Sequence, residues 1–318
     1  MPDGDVPAVP ATSERLARSS GPRLAGLFWA ALAVAIFSGW FVITRFSVTR
    51  ELRIWDITAL RFGIGALLLA PVLVRRRRAL LRSAWREGLL FAMLWGLPFV
   101  LLVALGLSLT SAAQAASIAP TLMPLFAGVF AWAFFGERQG ARRWIGYAAI
   151  FAGLCALVAA GSVSHGPPSL AGLASLAAAA AMWAIYTLLF RRSGLSPIEA
   201  AALICFWSAL IFLPAYVALG LSQFSRASAG EVALQAVYQG ALMSGVAIIT
   251  FNRAVTLLGA AAAAAIIALL PAVATVIAIP VLGETPSSAE WVAIAAIVSG
   301  VLLASSRSAV LTGGPAPS

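Results

Sequence analysis

Ten apolar stretches, most of them near the ~20 residues needed to cross a bilayer, limit what this chain can fold into. Hydrophobic residues make up 62% of the 318 residues and charged residues only 10%, which favours lipid over water as the surroundings. In lipid, the backbone N–H and C=O groups of a segment must find their hydrogen bonds within the protein, as in a helix or a closed β-barrel. These stretches lack the alternation of apolar and polar residues that barrel strands show, so we expect helices. The predicted helices cover residues 27–48, 55–74, 88–108, 112–135, 143–161, 170–190, 197–220, 233–252, 260–282 and 290–306.

The sequence contains an internal repeat. MPLFAGVFAWAFFGERQG at residues 123–140 is echoed by LPAVATVIAIPVLGETPS at residues 270–287, with proline, glycine and glutamate in matching places. Earlier in the chain, and at a nearly constant offset, Trp40 matches Trp183. Coincidences of tryptophan, proline and glycine are harder to obtain by chance than those of alanine. We therefore predict two copies of one five-helix unit.

The two copies, residues 27–161 and 170–306, are expected to cross the membrane in opposite directions. A unit with an odd number of helices ends on the face opposite to its start, so its second copy enters inverted. The loop after the seventh helix holds a single arginine, Arg226, whereas the equivalent loop after the second helix holds Arg75, Arg76, Arg77, Arg78, Arg82 and Arg86. Because cytoplasmic loops carry the excess of basic residues, this opposite charge bias favours inversion. The sequence predicts an all-α membrane protein of ten transmembrane helices in two inverted five-helix repeats, with a cytoplasmic tail at residues 1–26 and a disordered tail at residues 307–318.

Charge and residue chemistry exclude several classes of function. The net charge of +10 comes from arginines in short loops between apolar spans, which is the pattern of a membrane protein with cytoplasmic termini and gives no face for nucleic acid. Cys155, Cys205 and His165 have no ligand partners at useful spacing, so we expect no metal and no disulfide. A phosphate-binding loop is absent, and no cofactor is expected. The expected partners are a small-molecule substrate and the bilayer, and a homodimer remains open.

Ten spans in two repeats, each with an apolar helix that ends in FFGER or VLGET, resemble the EamA family of the drug/metabolite transporter superfamily. The stretch WDITALRFGIGALLLAP at residues 55–71, with Arg61 beside Phe62, resembles the second-helix pattern of that family. The resemblance covers residues 27 to about 306 and implies inner-membrane transporters, often exporters of amino acids or other small metabolites. It also implies a central cavity between the repeats, with the fifth and tenth spans more peripheral.

Substrate-binding candidates are aromatic and polar residues near the middle of the innermost spans. Ring faces can stack an apolar group or hold an ammonium, and the alternative is that the rings fill helix interfaces or lie at headgroup level. Arg61 is the one charge deep enough in a span to need an explanation: it contacts a substrate carboxylate, pairs with Asp56 or extends toward the membrane interface. The candidates are Trp40, Arg61, Trp95, Trp183, Tyr186, Tyr238 and Gln239.

Three of the prolines inside predicted spans are candidate hinges: Pro120, Pro124 and Pro271. A proline within a helix leaves the carbonyl four residues earlier without its donor and kinks the helix. In lipid such a carbonyl needs a wet cavity or a neighbouring donor, so these prolines either line a pathway or form static kinks.

The sequence as a whole predicts a secondary-type transporter that exports a small organic metabolite such as an amino acid or amine. Inverted repeats can exchange conformations around one midplane site, which gives alternating access. The alternatives are a membrane-embedded enzyme acting on lipid, for which no acidic or histidine constellation is found, and a structural membrane protein without a transport site.

Overall fold

Helices form all the regular structure that is seen in the computed structural model, which describes residues 12–48, 52–76, 80–110, 112–165, 169–282 and 286–305. Nine helical segments within these ranges are long and apolar enough to cross a membrane. A tenth apolar segment, Ser288–Ala304, is shorter. The chain is an all-helical, multi-pass membrane protein, as predicted.

Six helices belong to the first half of the chain: α1 (Thr12–Val48), α2 (Ile54–Arg76), α3 (Arg82–Trp95), α4 (Leu97–Leu109), α5 (Ala112–Phe135) and α6 (Ala141–His165). The second half contains α7 (Leu170–Arg192), α8 (Pro197–Ala218), α9 (Ala229–Gln235), a π-helix (Ala236–Ala247), α10 (Ile248–Leu258), α11 (Ala260–Ile267), α12 (Leu270–Leu282) and α13 (Ser288–Ser305). A short 3₁₀ turn, Phe224–Arg226, lies between α8 and α9.

The first helix is longer than predicted. It begins at Thr12 and not near residue 27, so part of the expected N-terminal tail is helical. The stretch from Thr12 to Ser20 contains neither glycine nor proline, and Gly21 and Pro22, which follow it, lie inside the helix without ending it. Residues 307–318, the predicted disordered tail, lie outside the described residues.

The third span is broken at Gly96, between α3 and α4. Gly96 adopts φ −103° and ψ −126°, and Pro98 occupies the first turn of α4. A proline has no N–H to donate and disfavours helical geometry in the residue before it, so the helix stops and restarts here. The Ser208 hydroxyl of α8 accepts a hydrogen bond from the Leu97 N–H at 3.3 Å. The break fixes the direction of Trp95, which is the last residue of α3.

The eighth span runs from Ala229 to Leu258 and contains twelve residues of π-helix between α9 and α10. The wider turn of a π-helix rotates the residues that follow it, and such turns are frequent at functional sites. Two predicted site residues, Tyr238 and Gln239, lie in this segment.

The ninth span is also interrupted, with α11 ending at Ile267 and α12 starting at Leu270. Pro271 is therefore in the first turn of α12, where the missing N–H costs little, and not in the middle of a helix. Pro120 and Pro124, in contrast, lie inside the continuous helix α5. All three prolines are buried.

Helices α2 and α8 lie side by side and antiparallel, which is visible from the contacts at their two ends. At one end Tyr216 donates a hydrogen bond to Asp56, and at the other Arg76 lies 3.8 Å from Glu199. Each of these contacts joins the start of one helix to the end of the other. The two halves of the chain are thus held together directly.

Helices α6 and α13 form a separate pair with its own apolar cluster. Their backbones approach closely at Gly146 and Gly300, where a Cβ on Gly300 would lie 2.7 Å from the Gly146 carbonyl oxygen. Small residues permit this kind of helix contact in membranes. The pair lies apart from the main core, which leaves the other helices to surround the centre of the protein.

Candidate functional site

A small cavity lies at the centre of the bundle, where helices from both halves meet. Its volume is roughly 10 Å³, about enough for one water molecule. Trp40 from the first half and Trp183 from the second both contribute to it, as their matching positions in the sequence suggest. The lining residues are Phe37, Trp40, Phe41, Arg61, Trp95, Phe99, Val103, Ala119, Trp183, Met243 and Leu270.

Stacked rings form one wall of the cavity. The Trp95 ring stacks on Trp183, with centroids 5.6 Å apart, and on Tyr186, with centroids 4.5 Å apart. Phe37 and Phe251 place their rings edge-on or tilted against these tryptophans. Aromatic pairs in these arrangements each contribute about 0.5–1.5 kcal/mol beyond area burial, so this wall is rigid.

Arg61 is the charged residue of the cavity. Only 2% of its surface is exposed, and its guanidinium carbon lies 5.2 Å from the centre of the Trp40 ring and 5.6 Å from that of Phe62. Within the described residues, Nε and one terminal nitrogen of Arg61 have no hydrogen-bond partner. A buried arginine without an acceptor is costly in a membrane span, and stacking on rings offsets only about 0.5–2 kcal/mol.

Asp56, the alternative partner for Arg61, is occupied elsewhere. Its carboxylate accepts hydrogen bonds from the Tyr216 hydroxyl at 2.6 Å and from the backbone N–H of Gln223 at 2.9 Å. The backbone N–H of Arg53 also donates to it, at 3.2 Å. The carboxylate thus ties the start of α2 to the far end of α8, and no ion pair with Arg61 forms in the described part of the chain.

A hydrogen-bonded chain fixes the polar side of the cavity. Trp40 Nε1 donates to Gln239 Oε1 at 2.9 Å, and Gln239 Nε2 donates to Thr44 Oγ1 at 2.9 Å. The Ser244 hydroxyl lies within hydrogen-bonding distance of the carbonyl oxygens of Arg61 and Gln239. This network holds Trp40 and the Arg61 backbone in place and joins α1 and α2 to the π-helix.

Two more residues at the ring stack, Asn252 and Trp183, have buried donors without a hydrogen-bond partner among the described residues. Tyr186 donates through its hydroxyl to Asn252 Oδ1 at 2.8 Å. Among the described residues, Asn252 Nδ2 and Trp183 Nε1 have no acceptor. Both atoms are donors, and so are the unpaired nitrogens of Arg61. The centre of the protein thus has a surplus of hydrogen-bond donors.

The structure brings five of the seven predicted residues together directly, and the other two lie nearby. Trp40, Arg61, Trp95 and Trp183 line the cavity, and Gln239 holds Trp40. Tyr186 touches the site through its stack on Trp95. Tyr238 does not line it, because its hydroxyl donates to the Ile36 carbonyl and its ring packs against Gly39.

Several lining residues were not predicted. Phe37 and Phe41 lie three residues before and one residue after Trp40, and Met243 lies four after Gln239, so helical spacing could have found Phe37 and Met243. Phe99 and Val103 lie four and eight residues after Trp95, so the same spacing could have found them, and they reach the cavity despite the break at Gly96. Ala119 and Leu270 each directly precede one of the predicted hinge prolines, Pro120 and Pro271.

Nine apolar spans in the described part of the chain, packed around a small cavity lined by aromatic rings and Arg61, are the architecture of a multi-pass membrane protein. The model of the EamA-like transporter family matches residues 24–159 and again residues 170–306. The chain therefore belongs to the EamA-like transporter family, which is a family of transporters and not of enzymes. The resemblance read from the sequence is confirmed.

Two known proteins are similar to this chain, one in sequence and one in fold. A protein of Streptantibioticus cattleyicolor, named "Probable terminal-alkyne amino-acid exporter", is 30% identical over 199 residues, which are 61% of this chain and 65% of that relative's length. A solved structure, described only as a crystal structure of a protein, superposes with a TM-score of 0.66 at 23% identity and covers 90% of this chain and 96% of the other. The second likeness concerns the fold alone.

Proposed function

We propose that this protein is a secondary-type transporter that exports a small organic metabolite, an amino acid in preference to a simple amine. It works by alternating access between two inverted repeats, residues 27–161 and 170–306. The substrate site is the central cavity, with Trp40, Arg61, Trp95 and Trp183 in contact with the substrate. Tyr186, Gln239 and Tyr238 hold the surrounding rings and helices.

The surplus of buried donors in the cavity carries this proposal. Arg61 Nε, one terminal nitrogen of Arg61 and Trp183 Nε1 are all buried without acceptors among the described residues. Unpaired buried polar groups are rare and costly, so a ligand that supplies acceptors binds here with a large gain. A carboxylate supplies two acceptor oxygens and a charge that matches the planar guanidinium.

The same observation favours amino acids over simple amines. A buried guanidinium repels an ammonium that has no accompanying carboxylate, whereas an amino acid presents its carboxylate to Arg61 and its apolar part to the ring stack. The tryptophan faces are able to take an ammonium or an apolar side chain. The printed name of the Streptantibioticus relative, an amino-acid exporter, agrees with this substrate class.

The cavity has to grow before it can hold a substrate, which is what alternating access requires. A volume of roughly 10 Å³ is smaller than any amino acid, so binding requires the two halves to separate. The helix interruptions at Gly96 and before Pro271 adjoin the cavity and are suitable hinges, since helices on either side can rotate about them. Pro120 and Pro124 in α5 are proposed to act with them.

We place the protein in a bacterial inner membrane because of its family and its bacterial relative, and we place both termini in the cytoplasm because of the arginine distribution of the loops. Inversion is supported by the antiparallel packing of α2 with α8, which hold equivalent places in the two repeats. Single cysteines in place of Arg138 and Thr285 test it with a membrane-impermeant label. Labelling from opposite compartments is expected, and labelling of both from one compartment would rule out the inverted arrangement.

Counterflow in liposomes tests the transport proposal. Purified protein should exchange labelled amino acids, and Arg61→Gln should abolish most of this exchange. An amine such as a decarboxylated amino acid should be exchanged poorly by the wild type and by the variant. Arg253→Gln, which removes an exposed arginine of α10, is the matched control and should leave exchange unchanged. If a broad panel of amino acids shows no exchange, the proposal is wrong.

A further inference from the structure

A second, larger depression lies on the outside of the bundle, between α2, the start of α3 and α8. Its volume is roughly 440 Å³, within the range of about 300–1,000 Å³ typical of ligand sites. One face of α2 forms its floor, because residues four, seven and eight positions after Ala66 fall on the same side of a helix. The lining residues are Ala66, Ala70, Leu73, Val74, Leu80, Arg82, Trp85 and Phe206.

Small residues make this groove, and lipid is what surrounds it. Ala66 and Ala70 leave a hollow where larger side chains would fill the space between α2 and α8. The neighbouring side chains of Leu67 and Val74 in α2 are 75% and 72% exposed, which in a membrane-spanning helix places them against acyl chains. An apolar hollow of this size on such a surface is filled by a hydrocarbon chain, since water finds no partners there.

One end of the groove is basic and marked by tryptophan. Arg82 and Trp85 line this end, and Trp85 packs edge-on against Phe206 at a centroid distance of 5.4 Å. The indole of Trp207 donates a hydrogen bond to the Trp85 carbonyl at 3.1 Å. Tryptophan is enriched at headgroup level, so this end lies at the membrane interface and the Ala66 end lies deeper.

The arginines at this end are available for an anion. Arg75, Arg82 and Arg86 are exposed and have no acidic partner in the described part of the chain. Only Arg76 is engaged there, with Glu199 at 3.8 Å. Clustered arginines next to a membrane-spanning helix attract anionic headgroups, and a guanidinium binds a phosphate oxygen pair well.

We propose that this groove binds an anionic phospholipid. One acyl chain lies along Ala66, Ala70 and Leu73 between α2 and α8, and the phosphate contacts Arg82, with Arg75 and Arg86 adding attraction. A zwitterionic lipid would fit the hollow equally well but would gain little from the arginines. The site is distinct from the central cavity and does not depend on the transported substrate.

The repeat provides an internal comparison. The equivalent loop after α8 holds a single arginine, Arg226, so an anionic lipid is attracted to one copy of this helix pair and not to the other. An anionic lipid bound on one side only would stabilise the α2–α8 contact at the Arg76 end.

Native mass spectrometry of the full-length protein with added phosphatidylglycerol or phosphatidylethanolamine tests the proposal. The wild type is expected to retain phosphatidylglycerol at least threefold more than phosphatidylethanolamine. Arg82→Gln should lower that preference to below about twofold, with the remainder due to Arg75 and Arg86, whereas Arg226→Gln should leave it unchanged. Both arginines are exposed, so neither variant should impair folding.

A second variant locates the lipid. Ala70→Trp fills the hollow and is expected to remove most of the bound lipid of either headgroup, with an unchanged melting temperature as the check on folding. Equal retention of the two lipids by the wild type would overturn the proposal. Retention of lipid at wild-type levels by Ala70→Trp would also overturn it, because the lipid would then lie elsewhere. The same holds if Arg82→Gln and Arg226→Gln lose the headgroup preference equally.

Discussion

The hydroxyl of Tyr216 donates a 2.6 Å hydrogen bond to the buried carboxylate of Asp56 and so joins the end of α8 to the start of α2. A hydrogen bond to a charged group contributes about 1.5–3 kcal/mol, so Tyr216→Phe should lower the stability of the purified protein by about that amount. Thermal unfolding in detergent measures it.

Tyr147→Phe is the matched control for that prediction. Tyr147 is equally buried, but within the described residues its hydroxyl has no hydrogen-bond partner. Its removal should therefore leave the melting temperature unchanged or raise it slightly. If both tyrosine variants lose the same stability, the loss comes from ring packing and the contact with Asp56 contributes little.

Replacing Arg61 should affect the stability of the protein and its transport activity in different ways. Arg61→Gln removes a buried charge that costs about 2.5–3.5 kcal/mol in a membrane span, so the variant should melt at the same or a higher temperature than the wild type. Counterflow of amino acids should nevertheless fall by at least about tenfold, because the carboxylate loses a charge-assisted contact. A variant that melts lower yet still transports normally would assign Arg61 to packing alone.

Trp183→Phe separates the ring of Trp183 from its donor. Phenylalanine keeps a ring beside Trp95 and Phe37 but removes Nε1, which has no acceptor among the described residues. We expect little loss of stability and a fall in apparent affinity of about 2–10-fold, the size of one neutral hydrogen bond. Trp132→Phe, at a ring that is 56% exposed, is the control and should change neither quantity.

The convergence of Trp40 and Trp183 on one cavity could be predicted because they hold matching positions in the two repeats, and that of Trp95 because it lies near the middle of an inner span. Arg61 could be predicted because a charge in an apolar span needs a cavity or a partner. Both arguments need only the order of the residues along the chain and the energetic cost of each residue type in lipid, and neither requires knowledge of contacts between distant helices.

Tyr238 and Pro271 show where the sequence is insufficient. Tyr238 precedes Gln239 in a π-helix that has no local sequence signal, and its ring turns toward α1 instead of the cavity. Pro271 was expected inside a helix but begins one, because the chain breaks two residues earlier. Which residues face the centre depends on these breaks, and the breaks depend on contacts between distant helices such as Ser208 with Leu97.

Glu137 joins the two halves at the surface, where it lies 3.0 Å from Arg192 and 3.7 Å from Arg191. Arg192 also stacks over Phe135 at 3.4 Å. Exposed ion pairs contribute about 0–1 kcal/mol, so Glu137→Gln should change the melting temperature little. If this ion pair holds the two halves of the transporter together, Glu137→Gln should exchange substrate faster than the wild type at low salt. At 1 M salt, where the pair is screened, the two exchange rates should be equal. A rate difference that persists at high salt would contradict this role.

The close contact between α6 and α13 should tolerate no added atom. A Cβ on Gly300 would lie 2.7 Å from the Gly146 carbonyl oxygen and 2.7 Å from the Ile150 nitrogen, and backbone atoms cannot move aside as a side chain can. Gly300→Ala is therefore expected to destabilise the protein by about 1–3 kcal/mol in thermal unfolding. Gly245→Ala, where nothing lies within 4 Å of the new methyl group, should be neutral or stabilising, since alanine is the better helix former. Equal melting temperatures for the two variants would show that α6 and α13 can separate without cost, and that their pairing does not stabilise the bundle.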